Sequence, residues 1–137
     1  MKNYLALAVI FLFGLSANGQ SADPAKESGP VISWEKTTHD FGDIYQGDKV
    51  EYTYAFTNTG NEPLIITNVQ VTCGCTTPKG WARDPIPPGG KSQITVAFNS
   101  TGKIGKQNKV ITVVSNAVGD SNKVSFTTNV LEKKQPQ

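Results

Sequence analysis

Cys73 and Cys75, separated only by Gly74, are the two cysteines of this 137-residue chain, and no other spacing in it is so well suited to chemistry. They follow an apolar run over 64–71. In an extended chain Ile65, Thr67, Val69 and Val71 share one face, and Cys73 and Cys75 continue that odd parity. Both sulfurs would then point the same way, with Cα atoms about 6.6 Å apart at the usual rise per residue. That is the upper edge of the ~4.4–6.8 Å window for a disulfide, and Gly74 permits the kink that closes the gap. A Cys-x-Cys bond closes a very small loop, so its entropic stabilisation is small and strain is expected. Strained disulfides are the more readily reduced ones.

Three readings of the pair stay open. The leading one is a local clamp at a strand end, or two buried thiols filling the sandwich rim. The second is a soft-metal site in which Cys73 and Cys75, with His39, take copper or zinc. Two sulfurs fall short of a tetrahedral set, however, and the chain has one His and one Met. The third is a redox-active dithiol. It lacks the Cys-x-x-Cys placement at a helix N-terminus that lowers a thiol pKa in oxidoreductases.

Other side chains offer less. His39 beside Asp40 has the makings of a general base, yet no nucleophile phrase such as Gly-x-Ser-x-Gly accompanies it. Asp40 and Asp43 are close in sequence but lie among turn and edge residues, where a solvated role is expected in place of paired acid catalysis. Tyr52 and Tyr54 alternate with polar residues and read as core. Trp34 and Trp81, with Tyr45, Tyr52 and Tyr54, are the aromatics that would make a sugar-stacking surface. Trp81, in the loop 78–82, is the best candidate among them for an exposed aromatic, although capping of the sandwich end is its expected role. These observations predict no catalytic residues and no resident cofactor.

The elements that carry these residues have a period of two. Val50, Tyr52, Tyr54 and Phe56 alternate with polar neighbours, as do Ile94, Val96 and Phe98, and Val124, Phe126, Thr128 and Val130. The runs 64–71 and 110–114 are more continuously apolar and β-branched, which predicts central strands. Turn clusters fall at 58–61, 85–90, 100–102 and 119–122. No segment of 31–131 has apolar residues at helical spacing. Asp40-Phe41-Gly42 joins an aromatic anchor to a glycine able to take positive φ, so an edge strand can bend there. About seven short strands in 100 residues predict an all-β, immunoglobulin-like antiparallel β-sandwich. An OB-type barrel is the alternative.

The N-terminus reads as an address. Lys2 precedes an 11-residue apolar run over 5–15, and small residues at 17 and 19 set up a cut before Gln20, the layout of a secretory signal peptide. The run is too short to span a bilayer, which needs about 20 residues. The expected organisation is signal peptide 1–19, disordered linker 20–30, sandwich 31–131 and polar tail 132–137. Thirteen basic side chains against 11 acidic ones give no footprint for nucleic acid. The expected location is periplasmic or extracellular, where two cysteines are usually paired.

The phrases Thr38-His39-Asp40-Phe41-Gly42-Asp43-Ile44, Phe56-Thr57-Asn58-Thr59-Gly60, Cys73-Gly74-Cys75-Thr76 and Pro87-Pro88-Gly89 occur in an order and spacing that resemble an exported bacterial family catalogued as domain of unknown function 1573. The succession is also similar to immunoglobulin-like domains related to major sperm protein. The resemblance covers roughly 33–116 and implies a seven-stranded sandwich; it implies no activity. Together these points predict an exported, non-enzymatic binding or scaffold module. It would engage a protein or glycan partner through loops or by strand addition, with no membrane span in the mature chain. Thiol-dependent metal or redox function is the alternative.

Overall fold

Alternation decides the architecture, because eight strands each bury one face and leave the other to solvent. In the computed structural model, which describes residues 28–133, β1 is Ile32–Trp34, β2 Thr38–Tyr45, β3 Lys49–Asn58, β4 Ile66–Val71, β5 Thr76–Gly80, β6 Lys91–Asn99, β7 Gly105–Ser115 and β8 Lys123–Leu131. They form two four-stranded sheets, ordered β1-β3-β6-β5 and β2-β8-β7-β4. The expected signal peptide, most of the expected linker and residues 134–137 lie outside the described residues. Residues ahead of Val31 already pack on the sandwich: Gly29 and Pro30 are buried, the Gly29 amide donates to Asn61 Oδ1 at 2.8 Å, and the Pro30 carbonyl accepts from Val118 at 2.9 Å.

The core lies between the sheets. Tyr54, Phe56, Ile94, Val96 and Phe98 from the first sheet face Ile111, Val113, Val124, Phe126 and Val130 from the second, all at most 2% exposed. Burying the Tyr54 ring would strand its hydroxyl, but that hydroxyl donates to the Ser125 carbonyl across the sandwich at 2.8 Å. The same burial pushes the Tyr54 pKa upward. Leu64 and Ile86, both in connecting segments, pair through a two-residue bridge and close one end of the core.

Three expectations need correction. The sheets are not wholly antiparallel, since β2 runs parallel to β8. The 64–71 run yields an edge strand; only β7, from the other continuous run, is central. And the odd-parity face of 64–71 is broken by a register shift between Ile66 and Asn68. Ile66 and Val69 are both buried, while Ile65 is 42% exposed. Local polar bonds occupy the irregularity: Thr67 Oγ1 donates to the Val114 carbonyl and Asn68 Oδ1 accepts from Val69 N.

The expected bend in β2 is present. Its pairing with β8 shifts between Asp40 and Asp43, Gly42 takes a φ of 72°, and the Gly42 amide donates to Asp40 Oδ1 at 2.8 Å.

The turn 58–61 is more than a tight connection. Asn58, fully buried, uses every polar atom of its side chain: Oδ1 accepts from Val31 N and Gly60 N, and Nδ2 donates to the carbonyls of Glu62 and Ile86. Its backbone also bonds with Gly89 and Gly90. Gly60 is required by space, since a Cβ there would stand 2.6 Å from Val31 N and closer still to the Gly29 carbonyl. Asn58→Ala leaves several backbone groups unpaired, each worth about 1–3 kcal/mol when buried. We expect it to lower stability by roughly 3–5 kcal/mol, read as a drop in urea midpoint at unchanged m-value.

Candidate functional site

The strand β4 ends at Val71, so Cys73 and Cys75 do not continue it. They sit in the turn that carries the chain from β4 in one sheet to β5 in the other. Turning brings the Cα atoms to 5.3 Å, inside the extended-chain distance, and the two sulfurs are bonded to each other. The turn is also held without the sulfurs. Thr76 N donates to the Cys73 carbonyl at 3.2 Å, and Asn99 N donates to the Cys75 carbonyl at 2.9 Å. Thr76, buried and immediately after the pair, places its hydroxyl 3.8 Å from Cys73 Sγ and 3.9 Å from Cys75 Sγ. Cys75 packs against the core on one side. On the other it helps line a depression of about 300 Å³ with Lys49, Glu51, Gly74, Thr77 and Lys79. Lys79 is paired with Glu51 in the lining.

His39 is elsewhere, and the metal trio is not assembled. Its ring stacks on Tyr52, centroids 3.7 Å apart and planes 9° from parallel, with Phe41 edge-on at 4.6 Å. Among the described residues no group of three His, Cys, Asp or Glu side chains is placed to hold a metal ion. Two sulfurs bonded to each other also have no thiolate to give one. The stack instead joins β2 of one sheet to β3 of the other, along the stretch of β3 beyond β1, which pairs only with 56–58. Burial and the Lys36 ammonium both lower the His39 pKa, and the Asp40 carboxylate opposes them. His39 Nδ1 is buried with no hydrogen-bond partner.

Trp81 is not the exposed aromatic. It packs against the core, and the Arg83 guanidinium lies 4.2 Å from its ring centroid. Among the described residues the exposed aromatic is Tyr45, at 49%, one of the five aromatics that the sequence offered for a sugar-stacking surface. Alternation puts Tyr45 on the outer face of β2-β8-β7, in register with Leu131. The next row in is Asp43, Asn129 and Lys106, and the following one Asp40, Thr127 and Asn108. These six residues line an open depression of about 460 Å³. Asn129 Nδ2 donates to Asp43 Oδ1 at 3.0 Å, which fixes the acid within its row.

Two outcomes follow. For a loop of three residues the chain-entropy relation gives the disulfide only about 1.6 kcal/mol. Cys73→Ser/Cys75→Ser should therefore cost no more than about 2 kcal/mol, a Tm fall of roughly 10 °C or less by calorimetry. A base whose folded pKa is lowered binds protons less readily than in the unfolded chain. Stability tied to His39 is thus fully present above the unfolded pKa near 6.5 and is lost as pH falls from there through the folded value. Urea titrations at pH 7 and pH 5 should show a larger acid loss for the wild type than for His39→Phe, which keeps a ring on Tyr52.

Fold comparisons place the chain among immunoglobulin-like sandwiches. A protein of unknown function from Porphyromonas gingivalis W83 superposes with a TM-score of 0.63 at 18% identity over 74% of this chain and 47% of its own. The ASH/PapD-like domain of human CEP192 gives 0.59 at 10% identity over 82% and 94%. The Vibrio cholerae VesB protease gives 0.56 at 13% over 72% and 31%. The chain thus spans about half the length of the first and a third of the last. No curated protein matches it in sequence. Among the described residues no helix is long and apolar enough to cross a membrane. The family described as Protein of unknown function (DUF1573) matches residues 32–130, and the chain belongs to that family.

Proposed function

We propose that the protein is exported and acts, without catalysis, as a binding module whose recognition surface is the outer face of β2-β8-β7. The observation that carries this is the depression of about 460 Å³ walled by Asp40, Asp43, Lys106, Asn108, Thr127 and Asn129. Carboxylate, amide, hydroxyl and ammonium groups there stand in fixed rows one strand spacing apart. The exposed Tyr45 ring lies in the adjoining row. Planar amides and carboxylates beside an aromatic face suit a hydroxyl-rich ligand, so a glycan is the favoured class.

Strand addition is the weaker route. The outermost strands are poor templates: β1 has three residues, β2 and β4 carry register shifts, and β5 contains Pro78 with a shift before Gly80. The non-catalytic part of the proposal is supported by His39, whose ring face is occupied by Tyr52. Asp40 and Asp43 are each held by a structural hydrogen bond. Export is supported by the N-terminal apolar run and by the paired cysteines.

The test uses the full chain expressed in a bacterium, with recovery of the processed protein from the periplasm as the first expected result. The purified protein is then run through native gels containing soluble polysaccharides. Retardation by at least one of them, lost in Tyr45→Ala and Asn108→Ala while both variants keep the wild-type Tm, supports the proposal. Retention in the cytoplasm with an intact leader overturns export. Retardation by no glycan, with a protein cross-linked at Tyr45 instead, overturns the ligand class.

A further inference from the structure

The disulfide turn crosses between the sheets and opens onto the β3-β6-β5 side, away from the proposed recognition face, and its surroundings exceed what a clamp requires. The turn is already closed by the Thr76 N to Cys73 carbonyl bond and anchored to β6 by the Asn99 N to Cys75 carbonyl bond. A buried hydroxyl stands within reach of both sulfurs, and Cys75 opens onto a depression lined by two lysines. Lys79 is engaged by Glu51, whereas Lys49 makes no ion pair among the described residues. A Cβ built on Gly74 would meet nothing within 4 Å, so the approach over the turn is clear.

We propose that Cys73–Cys75 is an exchangeable disulfide that accepts two electrons from a dithiol partner, with Cys75 as the attacked sulfur. The partner's thiolate enters from the depression, drawn by the Lys49 ammonium, and attacks Cys75 Sγ. The Cys73–Cys75 bond breaks, a mixed disulfide forms on Cys75, and Cys73 leaves as a thiolate that accepts a hydrogen bond from the Thr76 hydroxyl before taking a proton. The partner's second thiol, as thiolate, then attacks its own sulfur in the mixed disulfide and expels the Cys75 thiolate, which is protonated in turn. The protein's disulfide ends as two thiols and the partner's dithiol as a disulfide, with two electrons and two protons transferred. Thr76 is a positioning residue in this scheme. The backbone bonds hold the two thiols near each other after reduction, so the step is reversible.

The full mature chain is incubated under native conditions with dithiothreitol, then separately with glutathione and with uncharged 2-mercaptoethanol, quenched with acid, alkylated and weighed intact. Reduction should be complete in excess dithiothreitol with the β-sheet circular dichroism unchanged, and removal of reductant should restore the bond. With oxidised glutathione in place of the reductants, the free thiol of Cys73→Ser should form the mixed disulfide on Cys75, releasing reduced glutathione, faster than Cys75→Ser forms one on Cys73. Lys49→Glu should slow glutathione, whose thiolate form carries extra negative charge, several-fold more at low salt than it slows 2-mercaptoethanol. Thr76→Val should raise the pH midpoint for alkylation of the reduced pair, with Thr76→Ser restoring it. The proposal is overturned if the wild-type bond is reduced only at urea concentrations that unfold the protein, if the reduced protein loses its sheet signal, or if both sulfurs and both Lys49 forms react alike. None of these outcomes depends on whether the opposite face binds a glycan.

Discussion

The side-chain amide of Asn58 is the interaction on which the rest of the sandwich hangs. All but two of the connections, β5–β6 and β7–β8, pass from one sheet to the other, and each such passage leaves backbone groups outside any ladder. At the end where the described chain begins, Asn58 collects those groups. It gathers the amides of Val31 and Gly60 and the carbonyls of Glu62 and Ile86 around one fully buried residue. Three separate segments are thereby fixed against β3: the entry strand, the 59–62 turn and the proline-rich loop. In a low-dielectric interior a network with every member paired is rigid, and a partly paired one is costly. That asymmetry makes Asn58-Thr59-Gly60 and Pro87-Pro88-Gly89 parts of one assembly. Gly60 allows the backbone of 29–31 to come close, and Gly89 N donates to the Asn58 carbonyl.

Much of the fold was legible because burial on one face leaves a period-two trace in sequence. Tyr54 and Phe56 on β3, Ile94, Val96 and Phe98 on β6, and Val124, Phe126 and Val130 on β8 are all in the core as their alternation predicts. The Asp40-Phe41-Gly42 bend was legible too, because a glycine at an edge has few other uses. What parity could not convey was a break in parity. The shift between Ile66 and Asn68 turns a β-branched run into an edge strand with Ile65 outside, and nothing in the residue types marks the extra residue. Central and edge strands differ in what lies beside them, which is a long-range property. The parallel β2–β8 pairing is hidden for the same reason.

The candidate sites divide along that line. The Cys73–Cys75 pairing could be read from spacing and compartment, but its place in a crossing turn could not, because the strand was assumed to persist past Val71. Thr76 adjoins the pair in sequence, and its part appears only once the turn folds its hydroxyl over both sulfurs. His39 looked like a ligand or base only while its neighbours were unknown. Beside Tyr52, an imidazole has more to gain from stacking on an aromatic face than from a distant pair of sulfurs. Tyr45 was one of several aromatics that the sequence offered for a stacking surface, and only its exposure in the folded chain singles it out.

The two outer faces bear different chemistry because their strands end differently. The second sheet bends at Gly42, which sets Asp40 and Asp43 as neighbouring row ends and leaves a hollow over β8 and β7. The first sheet instead receives a crossing turn at its β5 edge, so a covalent link between backbone segments lies beside an open surface with a free ammonium nearby. A bond that only had to hold this turn would act where nothing else does. Here one backbone hydrogen bond closes the same turn and a second ties it to β6, and the closed loop is too short for much chain-entropy gain. The sulfurs are thus redundant as a brace while remaining open to a thiol. For this turn, stability is the lesser consequence of the bond, and access to it is the greater one.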